Sequence, residues 1–368
     1  MAKTVFIVPY PFIPPKNGGH WAAYGFAEFL AKERSLVVYT TFADKKTETP
    51  FTVSRLFSHR SWKYISPVIA FRFWRQLRQD RPQLIILHQH FMGLLLVPIA
   101  WLLRIPLAVY IQNLEYRRFR SMGKIWWPLM FLFEWWVYRN CRHLFFISPD
   151  ELEPGRKSFG LDNEKCAVVP FGTAYTAPPA IDHHLSRQIR EKHQFSPEET
   201  LILFFGPQSY LPNLEAVERI ATEIAPRIKS MADFPFRFII CGGGLPKSHD
   251  WIRSTRHISY LGYVTEIEPY VQAVDLVINP VNSGGGVKTK LIEALALGKT
   301  VVSSYTGALG VDPEKCGEKL IRVGDEDFEG FAEAIVKARA KAFLPTPEAF
   351  YETYYWGNTI RPVIERMG

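Results

Sequence analysis

The chain has 368 residues, too many for one compact core and suited to two domains of ordinary size. Hydrophobic residues at 47% and charged residues at 22% exclude a disordered chain. The net charge of +8 is uneven: residues 1–175 hold 23 Lys and Arg against 12 Asp and Glu, and the remainder 21 against 24, so an anionic partner is expected for the first half only.

Strand-like apolar runs alternate with helix-like segments, which predicts parallel sheets covered by helices. The strands expected in the first half are Thr4–Val8, Leu36–Thr40, Leu84–Leu87, Leu107–Ile111, Leu144–Ile147 and Ala167–Val169. Helical patterns lie between them at His20–Lys32, Ile69–Gln79, Phe91–Leu103 and Lys124–Asn140. The opening apolar run is too short for a signal peptide. Phe91–Leu103 is thirteen residues, short of the roughly 20 that span a bilayer, so no transmembrane helix is expected. Residues 174–200 read as an interdomain connection, after which the series restarts. Its strands are Leu201–Phe205, Arg237–Ile240, His257–Tyr260, Leu276–Ile278, Thr300–Ser303 and Lys319–Arg322. Two doubly wound Rossmann-like domains with a cleft between them follow, and ligands in such sheets bind beyond the carboxyl ends of the strands. Cys141, Cys166, Cys241 and Cys316 are widely spaced with no metal-ligand pattern, which suits buried thiols in a reducing cytoplasm.

The most specific stretch runs from Asn279 to Val302. A buried strand is followed by Gly284-Gly285-Gly286 and then by a helix with apolar Leu291, Ile292 and Leu295. Three glycines let backbone N–H groups converge at a helix start, which is an anion site by dipole and geometry together. Lys288 and Lys290 oppose the helix dipole there, so an anionic ligand explains them better than helix stability does. Glu293 follows on the same face, where a carboxylate can accept hydrogen bonds from ribose hydroxyls. The competing reading is a glycine turn with two solvated lysines.

The whole register resembles the retaining GT-B glycosyltransferases of family 4. Their C-terminal domains carry a proline, a glycine-rich loop, Lys-x-x-Glu-Ala-x-Ala-x-Gly-x-x-Val-Val and a Gly-x-x-Gly. Here these are Pro280, Gly284–Gly286, Lys290, Glu293-Ala294, Ala296, Gly298, Val301-Val302, Gly307 and Gly310. Phe204-Phe205-Gly206 with Pro212-Asn213 looks like the first strand and loop of that domain, Cys241–Gly244 like the second strand's exit, and Leu261–Val264 like the turn near the nucleobase. Gly18-Gly19-His20 is similar to the N-terminal domain's glycine loop, Gln112–Tyr116 to a His-Asn-x-Glu-Tyr segment, and Val169–Gly172 to the Pro-x-Gly before the linker. Trp356 sits where many members have a Trp in the last helix. The resemblance covers nearly the whole chain, most specifically at 276–310 and weakly at 45–80.

It implies an N-terminal acceptor domain at 1–175, a donor domain at 176–349, and a helix at 350–368 returning to the first domain. It also implies a cytoplasmic active site, a nucleoside-diphosphate sugar donor, no metal or other cofactor, and retention of anomeric configuration. By position Lys290 would contact the diphosphate and Glu293 the ribose, with Gly285 and Gly286 offering backbone donors. Gly18, Gly19, Gly206, Gln208, Tyr263, Val264 and Lys288 complete the implied donor-binding set, and Gln112 joins Lys290 and Glu293 as a catalytic candidate. Three departures stand out. Gly285 replaces a second carboxylate, Gln208 and Asn213 stand near an expected Arg and Lys, and Gln112 replaces a histidine. Gln112 can hydrogen-bond a sugar but cannot shuttle a proton near neutral pH.

Other residues have simpler readings. His88 and His90 alternate at a strand exit and so face one side, without a third metal ligand. Glu115 is either an active-site carboxylate or a partner of Arg117 or Arg118, Asp150-Glu151 after Ser148 read as a helix cap with first-turn acids, and Gly242–Gly244 as a turn. Basic residues interleaved with aromatics at 55–81, and Arg117–Lys124 before the apolar run 125–133, point to an anionic membrane surface presenting a glycan or lipid-linked acceptor. The alternative there is aromatics facing the core. Nucleic acid is disfavoured for want of a recognition motif. The competing functions are a GT-B sugar-nucleotide epimerase and a catalytically inactive sugar-nucleotide-binding protein.

Overall fold

The computed structural model describes residues 3–180 and 182–367. Met1, Ala2, Ile181 and Gly368, which the domain and linker expectations include, lie outside them. The chain divides into two compact units, one taking the chain up to Ala174 together with residues from Tyr354 on, the other Tyr175–Thr353.

The first unit is a seven-stranded sheet of β1 (Lys3–Ile7), β2 (Ser35–Thr41), β3 (Thr52–Phe57), β4 (Leu84–His88), β5 (Leu107–Ile111), β6 (His143–Phe146) and β7 (Cys166–Val168). Their order is β3-β2-β1-β4-β5-β6-β7, and the paired strands run parallel. The central strands are continuous apolar runs because both faces are covered: Val5, Phe6, Ile85, Ile86, Ala108 and Val109 are all inaccessible. Six helices matter to the site: α1 (Gly18–Glu33), α2 (Pro67–Asp80), α3 (Gly93–Leu103), α4 (Glu115–Ser121), α5 (Trp127–Arg139) and α6 (Pro149–Phe159). The second unit is a six-stranded parallel sheet of β8 (Thr200–Phe205), β9 (Phe236–Cys241), β10 (Ile258–Gly262), β11 (Leu276–Asn279), β12 (Thr300–Ser304) and β13 (Leu320–Val323), ordered β10-β9-β8-β11-β12-β13.

Three expectations need correction. β3 was not foreseen, because it is a sheet-edge strand whose residues before Phe57 remain partly exposed and show no buried run. The single helix expected at Lys124–Asn140 begins at Trp127, since Gly123 takes a left-handed φ of 68° and closes α4 before Pro128 can start a new helix. The C-terminal helix is three short helices, Glu348–Tyr354, Trp356–Thr359 and Arg361–Arg366, interrupted where Tyr355 forms a parallel bridge with Thr173.

That bridge seats Trp356 over two glycines of the first unit. A Cβ on Gly25 or on Gly172 would lie 2.6 Å from an atom of the Trp356 ring, closer than real contacts allow. Glycine at both positions is therefore a packing requirement, and the indole, buried itself, stacks edge-on to Phe171 at 5.6 Å. Gly25→Ala is expected to destabilise the first unit by about 1–3 kcal/mol through overpacking. Chemical denaturation measures it, and an unchanged midpoint contradicts this seat for Trp356.

Candidate functional site

In a doubly wound sheet the loops part where the strand order reverses, and that point falls between β8 and β11 in the second unit. The loop leaving β11 is pinned at its root. Buried Asn279 donates its amide to the Gly307 carbonyl (2.8 Å), and Ser304 Oγ donates to the Val281 carbonyl (2.6 Å). Ser283 is held by its hydroxyl on Glu215 (3.0 Å). Gly284 and Gly286 then take left-handed φ values of 83° and 77°, which β-carbon-bearing residues avoid. Nothing lies within 4 Å of where a Gly285 side chain would begin. A stretch of bare backbone thus stands open immediately before the helix Thr289–Ala296.

Three half-buried charged groups surround that backbone. Lys288 folds its ammonium onto the Gly284 and Gly285 carbonyls (3.3 and 3.0 Å). Lys290 donates to Asn213 Oδ1 (3.2 Å) and lies 4.2 Å above the Phe204 ring. Glu293 accepts from Thr289, one turn back. Burial pushes Lys288 down to about 8 and Lys290 to about 7, the latter helped by the neighbouring Lys288 charge. Burial likewise lifts Glu293 to about 7 against the pull of Thr289 and Lys290. All three groups are shifted toward neutrality chiefly by burial, and an anion placed beside the lysines would restore both ammonium groups.

The other implied donor residues of this unit divide. Gly206, with a φ of 141°, is required by the approach of Asn213. Gln208 is 1% exposed and its amide is occupied at both ends, donating to the Gly206 carbonyl (2.6 Å) and accepting from Tyr260 (2.9 Å). In this arrangement it ties the end of β8 to Tyr260. Tyr263 is 72% exposed and Val264 half-buried, both beyond the end of β10.

In the first unit the order reverses between β1 and β4. Beyond their carboxyl ends lies a pocket of about 310 Å³ lined by Tyr10, Gly19, His20, His88, Gln112 and Arg118, among others. Gly18 begins α1, which Asn17 caps through the His20 N–H (3.0 Å). Gln112 bonds His88 through Nε2 atoms 2.8 Å apart, and the fully buried His88 is pushed down to about 3. Its ring is neutral at physiological pH and supplies no proton. His88 and His90 do not face one side. β4 ends at His88, Gln89 turns the chain with a φ of 66°, and His90 points to Met130 and Tyr138 instead. Glu115, buried, pairs with Arg118 at 3.0 Å, and the two line the same pocket.

The loop carrying Gln112 and Glu115 is held by carboxylates that sequence reasoning missed. Leu114 N–H donates to Glu151 (2.9 Å), and the Glu115 and Tyr116 N–H groups donate to the two oxygens of Glu134 (2.8 and 3.0 Å). Three consecutive N–H groups at the start of α4 are thereby satisfied from α5 and α6. Glu151 does this from the first turn of α6, whose Ser148 makes no side-chain cap. Glu134 is fully buried, and that burial outweighs its donors and lifts it to about 8. The available signal was a lone carboxylate within an apolar helix, which must find partners. Among the described residues no three His, Cys, Asp or Glu side chains converge as a metal would require.

Two parallel α/β units in tandem, each open at its switch point, define the GT-B architecture. Residues 16–174 match the family model described as Glycosyltransferase Family 4, and residues 199–340 the one described as Glycosyl transferases group 1. The chain belongs to the group 1, family 4-like glycosyltransferases. No curated protein matches it in sequence. Among solved structures it is similar to HepE of Anabaena in complex with UDP and glucose, with a TM-score of 0.72 and 14% identity over 100% of this chain and 99% of that one. It is similar also to a glycosyltransferase from Rickettsia africae (TM-score 0.71, 12% identity, 100% and 97% covered). WaaG, a glycosyltransferase involved in lipopolysaccharide biosynthesis, has a TM-score of 0.66 and 14% identity over 98% of each chain. At such identities the likeness is one of fold.

Glu134→Gln keeps one acceptor oxygen and turns an NH₂ toward a backbone N–H. It is expected to cost about 1–3 kcal/mol and to speed amide exchange at Glu115 and Tyr116. Unchanged exchange at both amides contradicts the role given to Glu134.

Proposed function

We propose that the chain transfers a sugar from a nucleoside-diphosphate sugar to a glycan, glycolipid or lipid-linked acceptor, with retention of anomeric configuration and without a metal. The observation that carries this reading is the open glycine loop beside two half-buried lysines of lowered pKa. HepE, similar in fold, has been solved with UDP-glucose as well as with UDP. The diphosphate lies on the Gly285 and Gly286 backbone and draws Lys288 off the loop carbonyls, while Lys290 meets it from the first turn of the helix. Negative charge grows on the diphosphate as its bond to the sugar breaks, and fixed N–H and ammonium donors stabilise that growth better than they stabilise the bound substrate. Glu293 takes the ribose hydroxyls. In the first unit Gln112 engages a sugar hydroxyl by hydrogen bonding, since neither its amide nor neutral His88 moves protons near pH 7.

Lys290→Ala is expected to weaken nucleotide binding by roughly 1.5–3 kcal/mol, the scale of a hydrogen bond to a charged group. Glu293→Ala abolishes most turnover with the fold intact, and turnover of the natural chain survives chelation by EDTA. Calorimetry showing unchanged affinity in both variants places the donor elsewhere, and activity restored only by magnesium or manganese rejects the metal-free account.

The same reading puts the first unit on an anionic membrane surface. α2, α3 and α5 pack side by side and turn apolar side chains to solvent: Phe71 on α2, Trp101 on α3 (82% exposed), and Leu129 and Leu132 on α5, with Ile125 (92%) just before it. Other aromatics of these segments, Phe73 among them, are core residues. Arg72, Arg75, Arg78, Arg104, Arg120 and Lys124 are exposed around this face. Basic residues beside interfacial aromatics suit the headgroup region, each adding about 1 kcal/mol of attraction. Among the described residues no helix is long and apolar enough to cross a membrane. Co-sedimentation with liposomes is expected to favour anionic over neutral vesicles and to fall in Arg72→Glu/Arg75→Glu. Equal binding to both vesicle types, or no effect of the substitutions, removes the membrane from the account.

A further inference from the structure

The first unit has a second cavity, at the amino ends of its strands, opposite the carboxyl ends that carry the Gln112 pocket. Arg34, Gln83, Pro106 and Arg142 each stand at or just before the start of a strand (β2, β4, β5 and β6), and the C-terminal helix Arg361–Arg366 closes the space. The cavity measures about 290 Å³. Strands of five residues, at roughly 3.3 Å per residue, separate it from the Gln112 pocket.

Its lining is strongly positive. Arg34, Arg142 and Arg366 contribute guanidinium groups, His143 an imidazole, and Glu365 the one carboxylate. Among the described residues no carboxylate forms an ion pair with any of these three arginines. Arg366 spends donors on backbone carbonyls, those of Cys166 (3.0 Å) and Pro362 (3.4 Å). Arg34 Nε and His143 Nδ1 are buried without any hydrogen-bond partner. The Arg366 backbone, close to the His143 ring, favours its protonated form. Burial and the charges of Arg142 and Arg366 together disfavour protonation of this ring. An anion bound here would reverse that, because it offsets both arginines and accepts a hydrogen bond from Nδ1 of the protonated ring. A buried guanidinium donor and a buried ring nitrogen without partners, beside arginines that form no ion pair among the described residues, are the pattern of a site whose counter-ion is a ligand.

We propose that this cavity binds a phosphate group, separately from glycosyl transfer, borne either by a small soluble molecule or by a lipid headgroup. Planar guanidinium pairs match the oxygens of a phosphate monoester bidentately. The full-length protein labelled with [¹³C]histidine, with the His143 resonance assigned by its loss in His143→Gln, reports on this cavity and not on the glycine loop of the other unit. Titration with inorganic phosphate is expected to shift the His143 signal saturably and to raise its pKa. Arg34→Gln/Arg142→Gln weakens the response at least tenfold and leaves glycosyl transfer unchanged, and Arg142→Gln alone, at an exposed position, weakens it by a smaller factor. A response to phosphatidic acid vesicles but not to free phosphate assigns the group to a lipid headgroup. The proposal is overturned if neither probe moves the His143 signal, or if the folded Arg142→Gln variant responds with undiminished affinity.

Discussion

Two ammonium groups and one carboxylate share a half-buried space at the start of a single helix, and among the described residues no carboxylate forms an ion pair with either lysine. That imbalance is the constraint on which the second unit's architecture turns. It is tolerated because the loop carbonyls of Gly284 and Gly285 take up Lys288, while Asn213 and the Phe204 ring take up Lys290. These are neutral partners, weaker than an anion at the same distance. The polar latches at the root of the glycine loop, Asn279 on Gly307 and Ser304 on Val281, hold the start of the loop in place.

The first unit solves a different problem. Its pocket is formed by a loop and the seven-residue α4, elements that are mobile unless their backbone groups are tied down. Glu134 and Glu151 tie three successive N–H groups, and the Glu115–Arg118 pair covers the next turn. α5 thus has two faces with separate tasks: Glu134, Val137 and Tyr138 point inward, while Leu129, Leu132 and Trp135 remain exposed.

Much of this was legible from residues alone. The buried central strands announce themselves as apolar runs, and the stretch 283–293 is readable because three glycines, two lysines and a glutamate in that register resemble a known donor site. The edge strand β3 was hidden because half-exposed residues carry no run to detect. The break at Gly123 was hidden because the apolar pattern continues across it. His88 and His90 were misjudged by extending strand alternation two residues past the end of β4, across Gln89, which leaves the extended conformation. Gln208 was assigned by its place in a motif, whereas its burial depends on Tyr260, distant in sequence. Glu134 is the instructive case, since its partners are backbone groups that no side-chain pattern reveals.

The central claim is that the lysines of the glycine loop await an anion, and proton linkage tests it most directly. In the free protein Lys290 lies at about 7 and Lys288 at about 8, so near pH 8 both are partly or mostly neutral, while Glu293, at about 7, is mostly ionised. A bound diphosphate raises both lysine values, so binding must take up protons and affinity must fall as pH rises through this range. Calorimetric titration with a nucleoside diphosphate, repeated in buffers of different ionisation enthalpy, measures that uptake. The account predicts net proton uptake near pH 8 that shrinks in Lys290→Ala; binding with no proton exchange, or with release, would contradict it.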